Sequence, residues 1–362
     1  MGAAEGAANN RVLSALPRLE PGDGIRIAVI AVLLAFVFFF LPSMLSSYWT
    51  RIATSVIIYS IVALGLGLLM GRVGLVSLGQ VAVLALGAWV GARLLFGTDL
   101  PYPVVILMTG LITMILGSLI GLPALRVSGL YLALITLMLA GAITVALAAT
   151  DFPNGAGGFL GHAESTLGAT QIRRPSIAEG GAAYMRYCLI VAVLMFGLAL
   201  WHVRGKAGRA WATIRQSEPA ALAAGINISL YKMWAFALAA FMTGVAGALL
   251  AGSAGTLYTT TFTTQESILL LAVVLMGGIY SLWGAIVAGA LIKLLPALLD
   301  NWGLPPDLLT ILFGLGVIQV LTAAPRGLAE QFPKDMAKLG RLIYRLIGRP
   351  GAKSTPEAAG SK

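Results

Sequence analysis

The sequence predicts an all-α integral membrane protein with about ten transmembrane helices, some of them broken or re-entrant at Gly-rich segments. Three observations carry this. The chain has 362 residues, of which 59% are hydrophobic and only 10% charged, and its mean hydropathy is +0.91. A soluble core has no use for so much apolar surface, whereas repeated apolar runs of about 20 residues match a bilayer. The runs are punctuated by two Gly-dense stretches, Gly65–Gly91 and Gly277–Ile292. Positive charge is concentrated in a few connecting segments, as it is in membrane proteins whose basic loops stay on the inner side.

Residues 1–24 read as a small, polar N-terminal tail. The run 25–41 begins too far into the chain for a signal peptide and lacks a small-x-small cleavage site, so it reads as a retained first span. Further spans are expected at 52–70, 75–96, 104–121, 127–149, 187–203, 232–251, 268–280, 281–299 and 308–323; the 268–299 pair reads either as two crossings or as a re-entrant hairpin. With both termini inside, eighteen Lys and Arg fall on the inner side and five, including Arg93, on the outer side, while Lys293 lies within a span. That asymmetry supports this topology. It delimits a transmembrane domain at 25–323 and a basic tail at 324–362. In the tail, Met336, Leu339, Leu342, Ile343, Leu346 and Ile347 recur at helical spacing among Lys and Arg, the pattern of a helix lying on the membrane surface. The outer loop 150–186 opens on a Gly-rich segment with no regular period and reads as the lip of an outer mouth. The net charge of +10 reflects loops facing anionic membrane lipids; no nucleic-acid partner is implied. The single Cys188 excludes an internal disulfide and a multi-cysteine metal site.

The connector 204–231, with Lys232 at its end, is the most basic polar segment inside the apolar body: Arg204, Lys206, Arg209, Arg215 and Lys232 against Glu218. Pro219 suits a first helical position, with Ser217 or Glu218 as cap. Residues 220–224 are good helix formers and Gly225 is a C-terminal stop. A short helix held between two spans is a handle that another protein can grip. In the Gly-rich stretches, glycine serves two ends. It brings helices close, as in the pairs Gly67/Gly71, Gly87/Gly91 and Gly117/Gly121, and it breaks helices so that free backbone groups face a solute. The segments Gly74-x-x-Ser77-Leu78 and Gly278-x-x-Ser281-Leu282 echo each other, consistent with structural repeats around a central site.

Several chemistries are missing. No phosphate-binding Walker A sequence is present, so the chain is not expected to hydrolyse ATP or to bind a cofactor itself. No paired carboxylates or H-E-x-x-H motif suggest an enzyme. His162 and His202, on an outer loop and at a span end, do not form a metal site. No Asp or Glu lies mid-span, which argues against an ion- or gradient-driven carrier or channel, the alternative reading. Lys293 is expected either to snorkel outward, toward Asp300 at its helix end, or to serve the pathway.

Glu218, Ala220, Ala221 and Gly225 match the E-x-A-A-x-x-x-G pattern of ABC-transporter permeases. The run Gly208–Leu249 resembles the branched-chain amino acid permease family (the LivM and LivH type). The segments GLVSLGQVAVLALGAWVGA, LRVSGLYLALITL, GGIYSLWGAIVAGA and PRGL are similar to others in that family, and together they cover most of residues 52–330. The resemblance implies the permease subunit of an ATP-driven importer in a bacterial inner membrane. Its expected partners are ABC ATPase subunits that use the ATP, a second homologous permease and an external solute-binding protein. Glu218, Ala220, Ala221 and Gly225 would couple to the ATPase. Gly71, Gly74, Ser77, Gly79, Gln80, Tyr131, Thr136, Gly277 and Gly278 would border the pathway, with the polar side chains and broken-helix ends meeting an amino acid's charged groups. The chain departs from the family at Gly67, where Asn is common, and at MLAGAI after Leu137, where an acidic or amide residue is common. Both departures imply a different or more apolar solute.

Overall fold

The computed structural model describes residues 21–98, 100–125, 127, 129–149, 178–254, 257, 261–305, 308, 311–316, 318 and 327–329. Among them every regular element is helical. The elements are α1 (Pro21–Phe39), α2 (Ser47–Leu68), α3 (Gln80–Gly97), α4 (Tyr102–Gly121), α5 (Leu130–Ala149), α6 (Gly181–Arg204), α7 (Lys206–Gln216), α8 (Glu218–Ala223), α9 (Ile228–Ala254), α10 (Thr264–Gly277) and α11 (Leu282–Asn301). Six segments are long and apolar enough to cross a membrane: Ser47–Val73, Tyr102–Gly121, Leu130–Leu147, Gly181–Arg204, Ile228–Ala254 and Leu282–Asn301. Three apolar helices are shorter: Ala28–Met44, Gln80–Leu95 and Thr264–Gly277. These nine fall where the first nine spans are expected. Half of 308–323, the tail 330–362, the loop 151–177 with His162, and residues 1–20 lie outside the described residues.

The chain divides into two compact units, Met1–Thr50 and Arg51–Lys362. In the first, α1 carries exposed Val32, Leu33, Phe36 and Phe39, and Phe36 stacks on Phe40 at 5.6 Å. The second unit is built around α9, which is buried along most of its length.

Small residues let the neighbours of α9 come close. A Cβ on Gly87 of α3 would stand 2.7 Å from the Gly244 Cα, and one on Gly91 would stand 2.9 Å from the Ala248 Cα. On the other side of α9, a Cβ on Gly117 of α4 would overlap the Ala240 methyl, and one on Gly121 would lie 2.7 Å from the Phe236 ring. Gly87/Gly91 and Gly117/Gly121 are therefore contact stripes. In lipid no hydrophobic force draws helices together, so this close packing and a few polar bonds must hold them. The end of α9 away from the connector is pinned by tyrosines. The Tyr184 hydroxyl donates to the Leu249 carbonyl at 2.6 Å and the Tyr102 hydroxyl to the Ala248 carbonyl at 3.1 Å; the two hydroxyls lie 2.7 Å apart. Arg93 is buried at 6% exposure, although the charge count places it on the outer side; its guanidinium stands 5.8 Å from the Trp89 ring.

Both Gly-rich stretches contain a break. After α2 the helix widens into a π-turn, Leu69–Val73, closed by Gly74 at φ +84°. The N–H groups of Gly74 and Leu75 both donate to the Leu69 carbonyl. No helix resumes until Gln80, so the span expected at 75–96 is corrected to a shorter helix that begins five residues later. In the second stretch α10 ends at Gly277, Gly278 takes φ +111°, and α11 starts after Ser281. A Cβ on Gly284 would overlap the Gly278 carbonyl, so the α10–α11 turn closes through bare backbone. The expected route of Lys293 toward Asp300 is not taken: its ammonium sits 4.2 Å from the centre of the Tyr59 ring on α2.

Replacing Gly87 with Leu should force α3 from α9, and replacing Gly244, whose Cβ would overlap Thr113, should force α4 from α9; each should cost at least about 1–3 kcal/mol, read as aggregation of the detergent-extracted chain on size exclusion. Gly197→Ala, with nothing within 4 Å of the added methyl, should elute like the parent.

Candidate functional site

The connector folds as two helices. Gly208 lets the start of α7 lie against the Val203 carbonyl at the end of α6. Ala210, Trp211 and Ile214 form the buried face of α7, and Trp211 Nε1 donates to the Tyr231 carbonyl at 2.9 Å. The sequence reading missed α7 as a helix; its 210/211/214 spacing is the signal that could have found it. His202 is packed among Trp201, Trp211 and Trp234, and its Nδ1 lies 2.9 Å from the Leu198 carbonyl. Among the described residues no group of three or more His, Cys, Asp or Glu is placed to hold a metal.

The short helix α8 has both expected ends. Ser217 is the N-cap, its hydroxyl accepting from the Ala220 N–H at 3.3 Å, with Pro219 in the first turn. At the other end the Gly225 N–H donates to the Leu222 carbonyl at 2.9 Å and the Ile226 N–H to the Ala221 carbonyl at 2.9 Å. With Gly225 at φ +74° this is a Schellman cap. Ala221 is fully buried, while Glu218, Ala220, Leu222 and Gly225 are exposed. Nothing in the chain lies within 4 Å of a Cβ on Gly225, so its requirement is the left-handed backbone rather than space. Glu218 Oε1 meets the Lys232 ammonium at 2.7 Å; the lysine side chain is 5% exposed and the glutamate 49%. A buried ammonium needs such a partner. Glu218 therefore fixes the approach of α8 to the root of α9.

The first break lies deep along α9. Gln80 Nε2 donates to Thr243 Oγ1 and to the Ala239 carbonyl at 3.4 Å. Thr243 lies fifteen residues beyond Ile228, roughly 22 Å along a 27-residue helix. The Leu78 N–H donates to Thr136 Oγ1 at 2.9 Å, the Gly79 N–H to Ser77 Oγ at 3.4 Å, and Gly79 packs on the Thr136 backbone. Ser77, Gly79, Gln80 and Thr136 thus come together, and all three polar side chains are buried. Tyr131 does not join them: it is 73% exposed on α5. Thr243 and Ala239 belong to this cluster and carried no signal in the sequence.

Gly71, Gly74, Gly277 and Gly278 gather elsewhere, beside the connector. A Cβ on Gly71 would overlap the Ile279 carbonyl, and Gly327 of the PRGL segment packs on Gly278. Here a cleft of about 20 Å³ is lined by Gly67, Arg72, Val274, Gly278, Tyr280 and Ala285 among others. Arg72 Nη2 donates to the Tyr280 carbonyl at 3.1 Å. From α7, Arg215 Nη1 donates to the Gly71 carbonyl at 2.5 Å and Nη2 to the Tyr280 hydroxyl at 2.8 Å, with the guanidinium 4.6 Å from the Tyr280 ring centre.

A multi-pass helical protein with broken helices and a capped, exposed connector helix has the build of a membrane permease. A family model for the permease component of the branched-chain amino acid transport system matches residues 48–321, and the chain belongs to that family. It is 32% identical over 270 residues to the high-affinity branched-chain amino acid transport system permease protein LivM of Salmonella typhimurium, an alignment covering 69% of this chain and 63% of that protein. The Escherichia coli LivM is 30% identical over 269 residues, with the same shares. The aligned part of the chain thus spans less than two thirds of these relatives' length. No solved structure matches.

Glu218→Gln should lower the melting midpoint of the purified chain, because Lys232 would keep its burial and lose its charged partner, at about 1–3 kcal/mol. Glu218→Gln combined with Lys232→Met should recover most of the loss. Gly225→Ala should destabilise by about 1–2 kcal/mol, the cost of a left-handed Cβ, and Gly225→Asn by less.

Proposed function

We propose that this chain is the membrane-spanning permease subunit of an ATP-driven ABC importer for branched-chain amino acids or related small polar solutes. The observation that carries the reading is the exposed, doubly capped helix α8, which bears the E-x-A-A-x-x-x-G residues in a chain that belongs to the permease family. Two ABC ATPase subunits bind and use ATP on the cytoplasmic side; this chain holds no cofactor. Their closure pushes α8 through Glu218, Ala220, Leu222 and the turn at Gly225. The spans rock in response, giving alternating access to a solute delivered by an external binding protein. A second homologous permease completes the pathway, and the subunit sits among bacterial inner-membrane lipids with both termini in the cytoplasm. The proposed pathway residues are Gly71, Gly74, Ser77, Gly79, Gln80, Tyr131, Thr136, Gly277 and Gly278. Exposed Tyr131 suits the face toward the second permease. Gly67 and the MLAGAI segment favour a more apolar solute than relatives with polar groups there.

Co-purification of the tagged chain from membranes tests the assembly. The expected result is two ATPase subunits and a second permease; the chain alone in mild detergent would refute it. In the reconstituted importer, Glu218→Lys or Gly225→Leu should leave the chain inserted but lower ATP-driven uptake by at least about tenfold, measured with labelled leucine and valine. Normal uptake would remove α8 from the coupling role.

A further inference from the structure

We infer that Arg215 is the positioning residue that carries movement of the connector to both helix breaks at once. The inference rests on the importer reading and names the path within it. One side chain on α7 touches both Gly-rich breaks. Its Nη1 donates to the Gly71 carbonyl in the π-turn that ends α2, and its Nη2 donates to the Tyr280 hydroxyl in the turn between α10 and α11. Its stem also passes the start of the first break, since a Cβ on Gly74 would lie 3.3 Å from the Arg215 Cγ.

The chemistry suits a link rather than a rigid weld. The last carbonyls of a helix have no partner in their own helix, and a guanidinium supplies donors and a positive charge where the helix dipole is negative. The fork of Arg215 serves two acceptors at fixed angles while its face lies on the Tyr280 ring, an arrangement a lysine cannot reproduce. Arg215 itself is exposed, so its bonds can exchange with water at modest cost. Arg72 Nη2 donates to the Tyr280 carbonyl, so the two breaks already share a polar bridge, and Arg215 joins that bridge to α7. Because α7 runs into α8 through the single residue Ser217, displacement of α8 reaches the breaks through Arg215. The sequence echo Gly74-x-x-Ser77-Leu78 and Gly278-x-x-Ser281-Leu282 acquires a physical meaning here: both copies open on a positive-φ glycine that ends one helix and lead into the next.

The test is made on the complete importer in proteoliposomes, comparing wild type with Arg215→Gln, Arg215→Lys, Tyr280→Leu and the Arg215→Gln/Tyr280→Leu double variant. Three quantities are read for each: ATPase subunits retained on purification, ATP hydrolysed, and labelled solute taken up. Arg215→Gln should retain the ATPase and its hydrolysis while solute imported per ATP falls about tenfold, within the usual span of coupling between sites. Arg215→Lys, which keeps the cation but not the fork, should recover part of the loss. Tyr280→Leu should reproduce it, and the double variant should be no worse than either alone, as expected of two ends of one link. An unchanged solute-to-ATP ratio in Arg215→Gln, a proportional loss of bound ATPase and uptake, or additive effects in the double variant would each overturn the inference. If Arg215→Gln does not fold, the ratio measured for Tyr280→Leu decides. A wild-type chain that recruits no ATPase would instead refute the importer reading.

Discussion

The structure depends on how closely backbones approach α9. Gly244, Ala248 and Ala240 on this helix meet Gly87, Gly91 and Gly117 on α3 and α4. In a membrane the helices gain nothing from hiding leucine, because lipid tails are equally apolar. What holds them is the dispersion energy of near-contact and the few polar bonds that contact allows. Only small residues permit that distance. Once α3 is seated on α9, Gln80 can reach Thr243 and Ala239, and the start of α3 is fixed well inside the span.

That position creates a second problem, which the chain solves locally. A helix that begins or ends inside hydrocarbon leaves backbone N–H and carbonyl groups unpaired, at a cost of several kcal/mol each. At the first break, Leu78 donates to Thr136, Gly79 donates to Ser77, and Gly74 and Leu75 share the Leu69 carbonyl. Toward the connector the Gly71 carbonyl is met by Arg215. The breaks are satisfied structures held by groups from α5 and α7. Their conformation is therefore tied to where those helices stand.

The connector shows the same economy. Trp211 and Ala221 anchor it inward, Glu218 ties it to buried Lys232, and the remaining face of α8 stays outward. A segment exposed to solvent yet braced at three points can transmit a push, where a flexible loop would absorb it.

Much of this was legible in the sequence. The apolar runs announced nine of the helices because hydropathy is read locally; bilayer thickness matches the length of six of them. Ser217, Pro219 and Gly225 announced α8 because capping is local chemistry, and the pairs Gly87/Gly91 and Gly117/Gly121 announced close contacts because a missing side chain lets backbones approach; in the pair Gly67/Gly71 only Gly71 makes one. The true start of α3, the two sides of Tyr131 and Thr136, the burial of Arg93 and the seat of Lys293 on Tyr59 were decided by tertiary structure. So was the meeting of Arg215 with Gly71 and Tyr280, residues 144 and 65 positions away. Caps, periodicity and hydropathy are written within a few turns of one helix. Which polar side chain completes which broken helix depends on how separate helices pack, and in a chain of nearly uniform hydrophobicity the pattern of the sequence carries almost no signal for that.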